Sequence, residues 1–453
     1  MKEKIIVFLL CCIVLTLIFL DAGPGQNGRK VINSYINSNI FEKTFVLKTG
    51  NEKQHEFVRI TNQNNDIGNE SLSLYSLSAC MIDADNGRIL FEKDAGQIRA
   101  MASTTKIMTC LVALEQCPID DIVTFSDYAA SMPDVQLNAK SGEQFRMYDL
   151  LLSLMLESHN DTAVAIAEHV GGSVDMFCKM MTQRAQEIGC ENTVFLTPNG
   201  LDKEITTEEG EVKHSTTAYD LALIMRECIK NEQFVSLCRT KSAVIQNKGK
   251  TMNYTLSNHN ALLTMMDGVI AGKTGFTCDA GYCYVGAVKR NNSVYICSLL
   301  GCGWPNHKNY KWYDMEQLIT YGETSFVRVS FPDENIESLF ANNIKIMEGI
   351  ADGKIVNDIP ISRKKQEQNE VLMRDGEIIE ITGILPTCLQ APIAKGDIVG
   401  EIIYKINGQT IFTESLTASA SVEQMKFRDY FSLVLSDYIF SGSSLRSSEK
   451  CSS

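Results

Sequence analysis

The chain has 453 residues, more than one hydrophobic core usually serves, so two domains are expected. Its composition, 44% hydrophobic and 21% charged, is that of a soluble globular protein. A formal net charge of −13 excludes the basic face that a nucleic-acid partner requires.

Lys2 and Lys4 precede an apolar run from Ile5 to Leu20, then Asp21, Ala22 and Gly23. Residues 1–25 thus read as a secretory signal or an uncleaved N-terminal anchor, which puts the remainder outside the cytoplasm. Residues 26–70, rich in Asn, Lys, Glu and Gly, read as a spacer with one strand-like piece, Phe45-Val46-Leu47. Ala79–Asp83 and Asn86–Phe91 predict two strands joined by a tight turn.

Helical texture fills residues 103–235: Ile107, Leu111 and Leu114 recur at helical spacing, as do Leu150, Leu151, Leu154 and Met155, then Ala163, Ile166, Ala167 and Val170. Strands return at Gly268–Ala271, Tyr282–Lys289 and Val294–Leu300. The expected fold class is α/β of the α+β type, an antiparallel sheet assembled from distant segments and packed on a helical subdomain, over residues 71–326. Short alternating segments over 327–420 predict a small all-β sandwich domain. Within 421–453, Phe427, Tyr430, Phe431, Val434, Leu435 and Tyr438 keep a helical stripe ahead of a Ser-rich end. It reads as an amphipathic helix lying on a membrane surface.

Fifteen cysteines less Cys11 and Cys12 of the leader leave thirteen, with no Cys-x-x-Cys pair. Buried free thiols are the better reading, with a Cys278–Cys283 disulfide left open. The six histidines show no ligand spacing with cysteines, so no metal or cofactor is expected.

Three short motifs carry chemistry, and context separates them from chance. Ser-x-x-Lys occurs at Ser103–Lys106, Ser362–Lys365 and Ser447–Lys450; Lys-Thr-Gly occurs at Lys48–Gly50 and Lys273–Gly275; Ser-x-Asn occurs at Ser158-His159-Asn160. Only Ser103 opens an apolar-striped helix, with Lys106 one turn on and on the same face. Ser362 sits in a basic string, Ser447 in the tail and Lys48 in the spacer. Ser158–Asn160 falls on a loop between two apolar helices, and Lys273-Thr274-Gly275 lies on a strand where Gly275 lets a substrate backbone approach. His159, His214 and the stretch Trp304–Lys308 with Lys311 read as structural rather than catalytic.

This ordered trio is the signature shared by penicillin-binding proteins and class A β-lactamases. With Ala102–Thr109, Ser158–Asp161, Pro198-Asn199-Gly200-Leu201, Tyr219–Ala222 and, in the β domain, Ala391–Gly400, the chain resembles the low-molecular-mass penicillin-binding proteins, D-Ala-D-Ala carboxypeptidases of peptidase family S11. His159 replaces the commoner Gly, and the lead-in is long. The resemblance implies a nucleophile at Ser103, a base at Lys106, a proton relay at Ser158, a positioning amide at Asn160 and substrate binding by Lys273, Thr274, Gly275 and Phe276. It further implies peptidoglycan peptide stems as substrate, covalent capture of β-lactam antibiotics and residence in the cell envelope. A class A β-lactamase is disfavoured, because no Glu-x-x-Leu-Asn follows Ser-x-Asn; a non-catalytic wall-binding or drug-sensing module is the other alternative.

Overall fold

Side chains alternate across a strand, so a strand covered on both faces is apolar at nearly every position. Ser293–Leu300 is such a strand, at the centre of a five-stranded antiparallel sheet in a computed structural model of the chain. The structure describes residues 42–50, 72–208, 210–330, 343–365, 370–432 and 435; the expected leader and the end of the tail lie outside them. The strands run in the order Val269–Thr277, Gly281–Arg290, Ser293–Leu300, Ser78–Asp83 and Ile89–Lys93, an antiparallel sheet from distant segments as expected.

One face of this sheet points Cys80, Ile82, Val285, Ala287 and Ile296 into a core shared with the helices. The other points Met81, Tyr284, Val288 and Tyr295 at Met315, Leu318 and Ile319 of helix Tyr310–Ser325. Helix Lys106–Gln116 is buried from Lys106 to Ala113 and packs against Met147–Leu156, Asn160–Gly171, Val174–Ile188 and Ala218–Cys228. The hairpin between two of these is locally encoded. Gly172, with φ of 70°, ends one helix, and the Ser173 hydroxyl caps the next by accepting from the Met176 N–H.

The chain divides into a unit of residues 52–330 with 370–377, and a unit of 1–51, 331–369 and 378–453. This moves the boundary expected at 327. Strand Val327–Ser330 pairs with Glu370–Met373, and Leu372 joins the core beneath helix Tyr310–Ser325, so both strands belong to the first unit. Arg88 enforces the arrangement by donating to the Leu372 carbonyl and pairing with Glu377, both side chains almost wholly buried.

The second unit is all-β. Its strands form one eight-stranded network rather than two separate sheets, because Lys354–Lys364 pairs with Asn343–Ala351 along its first half and with Gln409–Ala418 along its end. Part of the supposed spacer is also structural: Glu42–Gly50 pairs along its whole length with Ile378–Pro386. The tail begins later than residue 421, since Val422 and Met425 are buried in this unit and the terminal helix opens at Phe427.

Removing one partner of a buried ion pair leaves the other charge without compensation, at a cost of about 3 kcal/mol or more. Glu377→Ala is therefore expected to destabilise the first unit by that order, read by chemical denaturation against an unchanged transition of the second.

Candidate active site

The site starts from a backbone that glycine-free sequences rarely adopt. Ala102 has φ of +47°, in the left-handed region, and opens a short 3₁₀ turn, Ala102–Thr105, that leads into helix Lys106–Gln116. Its carbonyl accepts from the Thr105 hydroxyl at 2.8 Å, and Thr105 in turn meets His214 Nε2 at 2.8 Å. His214 Nδ1 accepts from the Leu196 N–H at 3.0 Å, so the ring is the neutral Nε2–H tautomer. Burial holds it so, pushing its pKa down to about 3. Gly200, with φ of +86°, closes over the same carbonyl: a Cβ there would lie 2.0 Å from the Ala102 oxygen.

This turn presents Ser103 to Lys106. The Lys106 amine is completely buried and lies 2.9 Å from Ser103 Oγ, 2.8 Å from Asn160 Oδ1 and 2.6 Å from the Asn199 carbonyl oxygen. Burial, reinforced by the neighbouring Lys273, drives its pKa well below the ordinary lysine value, against an opposing pull from Asp161.

Each neighbour of that amine is fixed in turn. Asn160 begins its helix, with its amide donating to the Pro133 and Asp134 carbonyls and its N–H to the Val135 carbonyl. The Asp161 carboxylate accepts from the N–H groups of Leu137, Asn138 and Thr162, tying the same loop down. Asn199 sits in a turn held by the Thr109 hydroxyl, which donates to the Pro198 carbonyl at 2.6 Å from one helical turn beyond Lys106.

A second lysine lies across the site. Lys273 Nζ donates to Ser158 Oγ and to the Thr274 carbonyl, both at 2.9 Å, and burial lowers its pKa to about 7. Ser158 is itself in the left-handed region, φ +68°, at the loop between Met147–Leu156 and Asn160–Gly171. Strand Val269–Thr277 is the edge of its sheet, and it approaches the Ser103 turn so closely that a Cβ on Gly275 would lie 2.9 Å from the Ser103 nitrogen. Thr274 is partly exposed, and Phe276 is exposed beside Tyr282, ring centroids 4.6 Å apart.

The fold therefore brings Ser103, Lys106 and Asn160 into one hydrogen-bonded cluster and joins Ser158 to Lys273 on the neighbouring strand. The competing motifs lie elsewhere: Ser362 meets Thr417 in the β unit, Lys48–Gly50 is in the strand Glu42–Gly50, and Ser447 is outside the described residues. His159 turns its ring inward to Ser153 Oγ, 2.7 Å away, and burial lowers its pKa to about 4. Lys311 stacks over Tyr282 and Trp312. All twelve cysteines of the described residues, Cys278 and Cys283 included, are free thiols.

A family model of D-alanyl-D-alanine carboxypeptidases, peptidase S11, matches residues 64–302. The chain belongs to this family. A second model, the C-terminal domain of penicillin-binding protein 5, matches residues 351–424 within the all-β unit. Among curated relatives, the chain is 28% identical to the D-alanyl-D-alanine carboxypeptidase DacF of Bacillus subtilis, over 80% of this chain and 89% of that one. It is 27% identical to DacC of Escherichia coli, covering 79% and 87%. Penicillin-binding protein 5 of Haemophilus influenzae shares the fold, with a TM-score of 0.62 and 24% identity over 79% of this chain and all of that one. A Streptomyces K15 DD-transpeptidase mutant aligns at 28% identity with a TM-score of 0.51, over 56% of this chain and 99% of that one. As a member of this family the protein is a serine-type D-Ala-D-Ala carboxypeptidase.

Three supporting groups of the site were named from the sequence without a role. The Asn199 carbonyl has no side-chain signature. Asp161 and the His214–Thr105 relay act on backbone groups that no motif spacing reveals.

The relay sets a pH dependence. His214 takes up a proton near pH 6.5 when unfolded but only near pH 3 when folded, so its contribution to stability is complete above pH 6.5 and declines as the pH falls. Between pH 7.5 and 5 this costs about 2 kcal/mol. Denaturation of His214→Gln at both pH values is expected to show a pH-dependent loss smaller than wild type by that amount.

Proposed function

We propose that Ser103 is the nucleophile that removes the terminal D-alanine from peptidoglycan peptide stems through an acyl-enzyme, and that the same serine is acylated by β-lactams. The observation that carries this reading is the set of three partners around the buried Lys106 amine. A neutral amine has two N–H donors and one lone pair. Asn160 Oδ1 and the Asn199 carbonyl only accept, so they take the two N–H groups and leave the lone pair facing the Ser103 hydroxyl. With its pKa lowered by burial and by Lys273, Lys106 is the general base for that hydroxyl.

The remaining roles follow from position. The stem peptide adds as a strand to the edge Val269–Thr277, with its terminal carboxylate at Lys273 and Thr274. Ser158, bonded to Lys273, passes a proton to the departing amine, and Asn160 orients Lys106 and the substrate amide. The N–H groups of Ser103 and Phe276 receive the oxyanion, each worth about 3 kcal/mol in the transition state. Water then hydrolyses the acyl-Ser103 ester.

Intact mass and peptide mapping after benzylpenicillin treatment are expected to place one covalent adduct on Ser103, with D-alanine released from a pentapeptide in parallel assays. Ser103→Ala should abolish both, and Lys106→Met should slow acylation about a thousandfold. An adduct without D-alanine release would replace this reading with drug sensing, and rapid drug destruction would replace it with β-lactamase activity.

The cell envelope is the matching location. Phe427, Tyr430, Phe431 and Leu435 of the terminal helix are all exposed, which supports its seating on a membrane surface; no described helix is long and apolar enough to cross one. Deleting residues 427–453, which spares the buried Val422 and Met425, should abolish co-flotation of the purified protein with anionic vesicles.

A further inference from the structure

The two helices that begin at the site with Lys106 and Asn160 run side by side, and their far ends also meet. Cys117 caps the C-terminus of Lys106–Gln116, and His169 lies in the last turn of Asn160–Gly171. Asp121, in the loop after Cys117, stands between them. Cys117 Sγ is 3.3 Å from Asp121 Oδ2, and His169 Nε2 is 3.5 Å from the same oxygen. One ligand atom from each residue falls within 4.8 Å of the others.

We propose that Cys117, Asp121 and His169 form a zinc-type metal site that clamps the distal ends of these two helices. Bond lengths of about 2.3 Å to sulfur and about 2.0–2.2 Å to nitrogen and oxygen place tetrahedral ligand atoms roughly 3.3–3.6 Å apart. The two measured separations already match this range in the metal-free arrangement. The donor set, one thiolate, one imidazole and one carboxylate, suits a borderline divalent ion, with water as the fourth ligand.

The loop is held ready. Asp121 accepts through its backbone carbonyl from the Met147 N–H at 2.8 Å, and the Ile119 carbonyl accepts from the Tyr148 N–H at 2.9 Å. The adjacent acid, Asp120, is directed away to Arg146 at 3.7 Å. The charges balance: thiolate and carboxylate together neutralise the dication, and the imidazole binds uncharged. Positions 117, 121 and 169 follow no zinc-motif spacing, and only the fold assembles them. The site is independent of the acyl-transfer chemistry.

Cobalt(II), which reports its ligands by colour, provides the test on the intact purified protein. One equivalent per chain should bind, with a thiolate-to-cobalt charge-transfer band in the near ultraviolet, displaced by zinc, and with a rise in Tm. Cys117→Ser should remove the band. His169→Gln and Asp121→Asn, both at partly exposed positions that the folded core does not need, should each weaken binding at least about tenfold and remove the Tm rise. Cys278→Ser, which changes the exposed thiol, should change nothing. Absence of the band, or binding that survives Cys117→Ser and His169→Gln, would overturn the site.

Discussion

An amine without water around it must find its hydrogen-bond partners within the protein, and burial that supplies them also lowers the pKa of Lys106. Its three neighbours sit at 2.6–2.9 Å and come from three separate stretches of chain, the Ser103 turn, the start of helix Asn160–Gly171 and the Pro198–Leu201 turn. Misplacing any one would leave a buried polar group unmatched, so the surrounding structure is organised to prevent it. Thr109, Asp161, Gly200 and the His214–Thr105 pair each restrain one of those three stretches.

The sheet serves the same constraint from the other side. Lys273 comes within electrostatic reach of Lys106 because strand Val269–Thr277 passes against the Ser103 turn, and glycine at 275 permits that approach. Two buried lysines side by side are mutually unfavourable as cations. The geometry resolves this by giving them unequal surroundings: Lys106 faces two fixed acceptors, whereas Lys273 shares a hydroxyl and its neighbour's carbonyl. The two amines thus sit in different environments although both are buried.

Much of this was legible in the sequence, for physical reasons. The central strands announced themselves because burial on both faces demands unbroken apolar runs, and helix Lys106–Gln116 because its stripe has the helical period. Helix Tyr310–Ser325 was harder to see, since Lys311, Asp314 and Glu316 interrupt its apolar residues. The strand-like piece Phe45–Leu47 was visible, but not its place in the β unit, because the partner of Glu42–Gly50, Ile378–Pro386, lies more than three hundred residues away. The attachment of Glu370–Glu377 to the first unit was hidden likewise, resting on Arg88 and on one leucine in a distant core. Within the site, side chains with chemistry were visible, whereas carbonyls and the groups that orient them were not.

The hairpin that turns at residues 278–280 joins the edge strand Val269–Thr277 to the next one, and it carries Cys278. Of the described thiols this is the one that is exposed, most of the others being sealed in the core with pKa values pushed upward by burial. A maleimide dye would therefore attach by preference a few residues beyond Lys273, at the end of that strand. The molecule thus comes with a native attachment point for a fluorophore at the end of the edge strand, with no cysteine to engineer in.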